Sequence, residues 1–261
     1  MCEEAEAVAE FAALMLPFLG TAAGSFTVFF MKERFDGKTA KLLTGFAAGV
    51  MIAASVWSLL IPAIEMNAGS PFAWAEAAAG FLCGVSALAV MKKLISGVRI
   101  PEGGVSDGFS RLAMLVLAIT VHNFPEGMAV GVILAGAREG IPGITAAQVI
   151  SLAVGIAVQN FPEGAIISMP LKSSGVPKMR SFLIGVLSGV VEPLGVLLTL
   201  AFTGAAGVFL PFLLSFAAGA MIHVVTDELI PDSESESEKN AVTLGTAAGF
   251  TLMMILDVAL G

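Results

Sequence analysis

The chain has 261 residues, of which 57% are hydrophobic and only 13% are charged, and its formal net charge is −8. Soluble domains carry about 25% charged residues, so this composition excludes an ordinary soluble protein. Together with a mean hydropathy of +0.92 it predicts an integral membrane protein. The acidic balance also offers no basic surface for nucleic acid.

Eight apolar stretches are long enough to cross a hydrocarbon core of roughly 30 Å, which takes about 20 residues per helix. We number them segments 1 to 8 in chain order: 8–31, 40–64, 72–92, 111–137, 145–171, 179–205, 207–230 and 241–260. Almost no sequence remains for a soluble domain, so we predict an all-α integral membrane protein with one transmembrane domain over 1–261. Segment 1 follows the acidic stretch MCEEAEAVAE, which lacks a basic n-region, so we interpret it as a retained helix rather than a signal peptide.

Cationic residues are distributed unevenly between the segments. Twelve of the 13 lie between segments 1 and 2, 3 and 4, 5 and 6, or 7 and 8, and only Arg138 lies between 4 and 5. Short cytoplasmic loops are enriched in Lys and Arg. The sequence therefore predicts a multi-pass protein of a cell membrane, plasma or inner, with both termini external. Its two cysteines are too few for a disulfide framework, and we interpret Cys83 as a small buried residue.

Segments 2 and 7 contain similar sequences, FAAGVMIAASVWSLLIP (46–62) and FAAGAMIHVVTDELIP (216–231), which match at both ends with a one-residue slip. In the predicted topology they cross the membrane in opposite directions, as inverted repeats of secondary transporters do. The natural division is 3+2+3 helices, although two apolar segments can also match by chance. The glycine-rich stretches GTAAGS (20–25) and GVLSGVVEPLGV (185–196) are typical of close helix packing, and we assign chemistry there only to Glu192.

The central segments 4 and 5 carry two nearly identical motifs, HNFPEG (122–127) and QNFPEG (159–164). Pro125 and Pro162 each remove one helical hydrogen bond and displace the carbonyl four residues earlier. We therefore expect the helices to loosen at Val121 and Val158, immediately before the polar residues. A kink would explain each proline, but it would not explain the side chains beside it.

Helical spacing gathers these polar side chains, because residues three or four apart share a face. If segments 4 and 5 face each other, the result is two cation sites bridged by two glutamates. Nitrogen and oxygen donors together favour a borderline divalent metal. A carboxylate at mid-membrane costs about 2.5 to 3.5 kcal/mol, so intramembrane acids are functional candidates; protonated or hydrogen-bonded structural acids are the alternative. The candidates are His122, Asn123, Glu126, Gln159, Asn160, Glu163 and Glu192.

These residues resemble the ZIP (Zrt/Irt-like) metal transporters, particularly their compact prokaryotic branch. The resemblance covers eight helices, external termini, the 3+2+3 repeat, both motifs and the EPLG of segment 6. It implies a binuclear centre, import of divalent metal by an elevator-like movement of a transport unit against a scaffold, and dimerisation. One site would use His122, Glu126, Gln159 and Glu163, and the other Asn123, Glu126, Asn160, Glu163 and Glu192.

Two departures from the family pattern weaken the expectation of zinc more than that of metal transport. Many relatives have histidine where this chain has Gln159, and some have aspartate where it has Asn160. The cytoplasmic stretch 93–110 contains no histidine, so regulation through a histidine-rich loop should be absent.

Further polar residues lie along the expected path. In segment 7, His223, Asp227 and Glu228 would form an exit station, or else be a solvated helix end beside a hydrogen-bonded histidine. Asp257 resembles an entrance aspartate of the family, and a helix-end acid is an equal alternative. Ser58 in segment 2 is a further candidate for the path.

The sequence thus predicts a secondary transporter that imports Zn²⁺ first, with Fe²⁺, Mn²⁺ and Cd²⁺ as further candidates. The metal is the transported ion, and no other cofactor is implied. A metal sensor or channel is the main alternative. A metalloenzyme needs an open metal position and a general base beyond the ligands. No spare intramembrane His, Lys or Tyr supplies that base, so we expect no enzyme activity.

Overall fold

The computed structural model describes residues 2–30, 37–67, 69, 71–96, 107–141, 144–203, 209–230 and 235–260, and this part of the chain is helical without a β-strand. The α-helices in chain order are α1 (Cys2–Phe26), α2 (Gly37–Ala54), α3 (Ile61–Met66), α4 (Ala73–Ser96), α5 (Asp107–Arg138), α6 (Ala146–Ser173), α7 (Lys178–Gly189), α8 (Val191–Thr203), α9 (Leu210–Val224) and α10 (Glu236–Leu260). The all-α prediction is confirmed.

Within the described residues, seven stretches are long and apolar enough to cross a membrane. They correspond to segments 1, 2, 3, 5, 6, 7 and 8, and each coincides with one helix or with two consecutive ones. Segment 4 is not among the seven. It coincides with α5, a single helix of 32 residues, about 48 Å long, so its length is sufficient for a crossing.

The loosening expected at Val121 and Val158 stays a prediction. Helices α5 and α6 continue through Pro125 and Pro162 without a break. A proline removes only one hydrogen bond of a long helix, so loosening at one position is compatible with a helix that continues. The break lies instead in segment 6, where α7 ends at Gly189 and α8 begins at Val191.

The helices pack most extensively in four pairs: α1 with α6, α5 with α8, α2 with α10, and α4 with α9. Two of these pairs and α7 form a group that we call the motif bundle (α1, α5, α6, α7 and α8), because it carries both motifs. The others form the flanking bundle (α2, α3, α4, α9 and α10). Helices α5 and α6 provide the main contacts of the motif bundle with α2, α9 and α10.

Glycines set the distance between paired helices within each bundle. A Cβ atom at Gly24 of α1 would come within 3.0 Å of the α6 backbone at Phe161, and one at Gly49 of α2 within 2.9 Å of the α10 backbone at Thr246. Small residues that let two backbones touch are typical of membrane helix pairs. The packing role assigned to the glycine-rich stretches is therefore confirmed.

Contacts between the two bundles are of a different kind. Gly155 of α6 faces the flanking bundle, and a Cβ there would meet the flexible side chain of Met253 in α10 rather than backbone. Methionine adapts its shape readily to its neighbours. The backbones are therefore in direct contact at the glycines within each bundle, while at Gly155 adaptable side chains separate the bundles.

Segments 2 and 7 share a local irregularity. A π-helical stretch, Ser55–Leu60, joins α2 to α3, and a second one, Val225–Leu229, follows α9. The first has six residues and the second five, which accounts for the one-residue slip between the two sequences. Single π-turns inside helices occur frequently at functional sites.

The interpretation of Cys83 as a buried residue is wrong, because its side chain is exposed on α4. Helix α4 is the span with the smallest buried share, 22%. Much of its apolar surface therefore faces outward, as expected for a helix surrounded by lipid.

Candidate metal centre

Six of the seven residues singled out in segments 4, 5 and 6 interact inside the motif bundle, and the seventh, His122, lies one turn before Glu126 on α5. Helix α5 supplies three of them, α6 supplies three, and α8 supplies the last. All seven are buried in the structure, namely His122, Asn123, Glu126, Gln159, Asn160, Glu163 and Glu192. Three carboxyl groups thus share one interior region, where an unpaired charge is costly.

A hydrogen bond joins the two motifs directly. The Gln159 amide nitrogen donates to Glu126 Oε1 over 2.7 Å, so α5 and α6 face each other, which is the condition on which the expected pair of sites depends. The Glu126 carboxyl group is also within electrostatic range of Glu163 and Glu192. The mutual repulsion of these acids must be offset by a cation, by protons or by hydrogen-bond donors.

A second set of contacts surrounds Glu192. Its Oε1 accepts hydrogen bonds from the Asn123 amide at 3.1 Å and from the Thr21 hydroxyl at 2.7 Å. The Asn123 amide also donates to the backbone carbonyl of Ser188, at 3.2 Å. The Asn160 amide is near enough to interact with both Glu126 and Glu192. Glu192 is thereby connected to α1, α5 and α6.

Within this centre, the buried atoms of the described residues that have no hydrogen-bond partner include a set of acceptor oxygens. In this centre they include oxygens on five side chains: Asn123 Oδ1, Glu126 Oε2, Gln159 Oε1, Asn160 Oδ1 and Glu192 Oε2. Each amide nitrogen donates to a protein acceptor, and the carbonyl oxygen of the same amide has no hydrogen-bond partner. Buried polar atoms are nearly always satisfied, and a set of acceptors with no matching donors suits a cation.

The glycine that ends each motif allows a neighbouring helix to reach the centre. A Cβ at Gly127 would lie 2.8 Å from the carbonyl carbon of Glu192, and one at Gly164 would lie 2.8 Å from the backbone nitrogen of Ser25. Real Cβ atoms essentially never come that close. Glycine after each glutamate is thus required for α8 to contact α5, and for α1 to contact α6, at the level of the carboxylates.

Helix α1 contributes groups that the sequence analysis missed. Besides the Thr21 hydroxyl, the Pro17 carbonyl accepts from the Asn160 amide at 3.4 Å. The Ser25 hydroxyl bridges α1 and α6 through the carbonyls of Thr21 at 2.9 Å and Gly164 at 3.2 Å. The only signal in the sequence was two hydroxyl residues within the apolar segment 1, in a stretch assigned to packing.

Glu192 owes its position to the break in segment 6. It lies in the first turn of α8, where helix N–H groups have no partners within the helix. The next residue, Pro193, is tolerated in a first turn because its missing N–H is not needed there. The sequence VVEPLG therefore starts a new helix at the depth of the two motifs.

The candidates for the path lie away from this centre. Asp257 of α10 accepts from the Ser58 hydroxyl at 2.9 and 3.0 Å and from Ser151 of α6 at 3.4 Å. The bond from Ser151 joins the motif bundle to the flanking bundle. In segment 7, Asp227 pairs with Lys92 of α4. Glu228 lies beside it in the same π-helical stretch.

His223 lies on the last turn of α9 and is partly buried, and its Nε2 atom has no hydrogen-bond partner. The Asp227 carboxylate is within electrostatic range of the imidazoles of His223 and of His122. This short series of groups leads from the centre towards the end of segment 7.

The donor set of the centre is dominated by oxygen. Among the described residues no three His, Cys, Asp or Glu side chains form a ready-made group that could hold a metal ion, whereas amide oxygens lie beside the carboxylates. Carboxylate and amide oxygens suit hard divalent cations, and an imidazole extends the range towards zinc. This agrees with the mixed donors expected from the motifs.

Comparison with known proteins identifies the family. The family model described as ZIP zinc transporter matches residues 105–257. A zinc transporter ZIP11 from Xenopus tropicalis is 36% identical, over 92% of this chain and 94% of its own. Zinc transporter GufA from Myxococcus xanthus is 35% identical, over 78% of this chain and 81% of its own. Zinc transporter ZIPB from Bordetella bronchiseptica is also 35% identical, over 94% of this chain and 79% of its own.

The chain belongs to the ZIP family, and the resemblance noted from its motifs is confirmed. Members of this family are transporters rather than enzymes, so the metalloenzyme alternative is excluded. Together with the apolar helices, membership makes this a multi-pass membrane protein.

Proposed function

We propose that this protein is a secondary transporter of divalent metal ions, with Zn²⁺ the first substrate and Fe²⁺, Mn²⁺ and Cd²⁺ further candidates. The observation that carries the proposal is the set of buried, unpartnered acceptor oxygens around Glu126 and Glu192. The three relatives compared above are all named zinc transporters, which supports zinc. Gln159 and Asn160 are the two ligands that depart from the family pattern. Their neutral amides favour modest affinity for the ion and its release.

The binding site we propose is binuclear, with Glu126 and Glu163 shared between two ions. The first ion would take His122 and Gln159 as its other ligands, and the second would take Asn123, Asn160 and Glu192. The Gln159 and Asn123 amides now donate to these carboxylates. Rotation of each amide about its last torsion would turn a carbonyl oxygen towards the ion and release the carboxylate oxygen.

The helix pairs support a 3+2+3 inverted repeat. If segments 1, 2 and 3 correspond to 6, 7 and 8, and segment 4 to 5, then the pair α1–α6 corresponds to α8–α5. By the same exchange α2–α10 corresponds to α9–α4. All four pairs occur, and so do the π-helical stretches of segments 2 and 7. In such transporters the substrate lies at the repeat interface.

The two bundles suggest how the ion moves. Backbone contacts at glycines hold the motif bundle together as one unit, whereas the flexible Met253 side chain lies between Gly155 and the flanking bundle. We infer that the motif bundle carries the ion as an elevator-like unit against the flanking bundle, within a single transmembrane domain spanning 1–261. Asp257 would receive ions at the external face, where both termini also lie, and import would run towards the cytosol. Homodimerisation remains a prediction of the resemblance.

The experiment is metal flux into proteoliposomes that contain a metal-sensitive dye, with zinc first and then manganese, iron and cadmium. We expect saturable flux that Glu163→Ala and His122→Ala abolish. Glu139→Gln is the matched control, because Glu139 is an exposed acid beyond the end of α5. Its flux should equal that of the wild type.

The alternatives give different results. Metal binding without flux under any gradient would make the protein a sensor and contradict transport. Flux that does not saturate and depends weakly on temperature would indicate a channel. Full flux in Glu163→Ala would show that the ions pass elsewhere.

A further inference from the structure

The two ends of the flanking bundle carry polar pairs at corresponding positions. Ser58 and Asp227 each lie four residues before the proline that ends the similar sequences of segments 2 and 7. Both lie within the π-helical stretches. Each contacts the helix paired with its own segment: Ser58 contacts Asp257 of α10, and Asp227 contacts Lys92 of α4.

The partners also correspond. Gly84 of α4 lies against the backbone of Phe216, and Gly249 of α10 lies against the backbone of Phe46, where Phe216 and Phe46 begin the two similar sequences. Counting eight residues on from each glycine reaches Lys92 in α4 and Asp257 in α10. The two polar pairs therefore occupy equivalent positions in the two halves of the repeat, and they lie at opposite ends of the flanking bundle.

The chemistry at the two positions is opposite. At Asp257 a carboxylate is surrounded by the hydroxyls of Ser58 and Ser151, and its charge is free to attract a cation. At Asp227 the carboxylate already has a cation, the Lys92 ammonium, fixed to the chain. Both side chains of that pair are partly open, 49% for Lys92 and 39% for Asp227, so an ion can reach them.

Resting on the proposed function, we infer that Lys92 is a built-in competitor for the transported metal at the exit. In the absence of metal its ammonium occupies Asp227, and an ion leaving the centre past His223 must displace it. Since the ammonium returns to the carboxylate, it drives the ion off. In the part of the chain that the structure describes, the side chains bonded to Asp257 are hydroxyls rather than a cation, so the same repeat position binds metal at one end and releases it at the other.

The size of the effect follows from the charges. A fixed unit charge about 5 Å from a dication in a solvent-exposed site weakens binding about tenfold at low ionic strength, and less in high salt. Differences in affinity between related sites arise mainly in the dissociation rate. Removing the ammonium should therefore retain metal at Asp227 and slow its release by about the same factor.

The first test is equilibrium binding of Zn²⁺ to the purified full-length protein in the Glu163→Ala background, where the central site is disabled. We expect Lys92→Met to show one additional binding position for Zn²⁺. Its affinity there should be about tenfold higher than that of the parent protein at the same position. Lys92→Met with Asp227→Asn should lose that position again. Lys92→Arg, which keeps the charge, and Lys93→Met, which removes the neighbouring one, should both behave like the parent.

The inference would be overturned if Lys92→Met binds no more tightly than its parent, or if the added position survives Asp227→Asn. The binding measurement does not depend on flux. The inference about Lys92 can therefore be refuted while the proposed transport function is upheld, and it can be supported even if the protein transports no metal. In proteoliposomes of otherwise wild-type protein, Lys92→Met should slow zinc turnover about tenfold, and the added Asp227→Asn should restore it.

Discussion

Substitution of Gly164 by alanine tests whether the contact between α1 and α6 holds the metal centre together. The new Cβ would lie 2.8 Å from the Ser25 nitrogen, and the Thr21 carbonyl oxygen is nearer still. Since ordinary contact begins at 3.4 Å, the two helices must separate by about 1 Å. The Thr21 hydroxyl now donates to Glu192 at 2.7 Å, and a shift of that size takes it to the limit of a hydrogen bond.

We expect two consequences of Gly164→Ala. Overpacking of this kind costs about 1 to 3 kcal/mol of stability, which a lower melting temperature would report. Loss of a partner that orients a metal ligand weakens metal binding by about 10- to 100-fold, which competition with a metal-sensitive dye would measure. The affinity should fall even where the melting temperature shows the variant to be folded.

The control is Gly69→Ala, because a Cβ there meets nothing within 4 Å. Both its melting temperature and its zinc affinity should match the wild type. If Gly164→Ala binds zinc within about twofold of the wild type, the positioning role of α1 is refuted.

Three further substitutions give expectations of different kinds. Thr21→Val keeps the shape but removes the donor to Glu192, so one of the two zinc affinities should fall about tenfold; a two-site isotherm equal to the wild type would contradict this. Asp257→Asn should raise KM for zinc about three- to tenfold with kcat unchanged, because capture at the entrance precedes the transport step; an unchanged KM would exclude an entrance role. Arg138→Gln removes an exposed ion pair to α1, and by thermal melting it should cost about 0.5 kcal/mol or less.

The centre was predictable from the sequence to the extent that its chemistry is local. Two motifs with ionisable groups at helical spacing identified the faces of α5 and α6, and an acid before a proline identified Glu192. Charged groups are so unfavourable in hydrocarbon that their presence alone marks a site. The hydrogen bond between Gln159 and Glu126 follows from the same spacing.

What the sequence did not reveal depends on contacts between distant residues. Thr21 and Glu192 are 171 positions apart, and a threonine in an apolar helix usually bonds to its own backbone. The prolines indicated loosening within α5 and α6, whereas the helix boundary in segment 6, between Gly189 and Val191, was not predicted. The exposure of Cys83 likewise depends on which face of α4 packs against α9. Both faces carry small residues, so the sequence does not distinguish the packed face from the exposed one.

The unpartnered oxygens around Glu126 and Glu192 bear on how the folded protein is maintained. A ligand that binds the native state alone stabilises it by about 2.7 kcal/mol at a concentration one hundred times its Kd. A cell short of metal would therefore hold a less durable copy of this protein, and one well supplied would hold a more durable copy. If the proposed site holds the transported ion, metal supply would thus set how long each copy of the transporter stays folded.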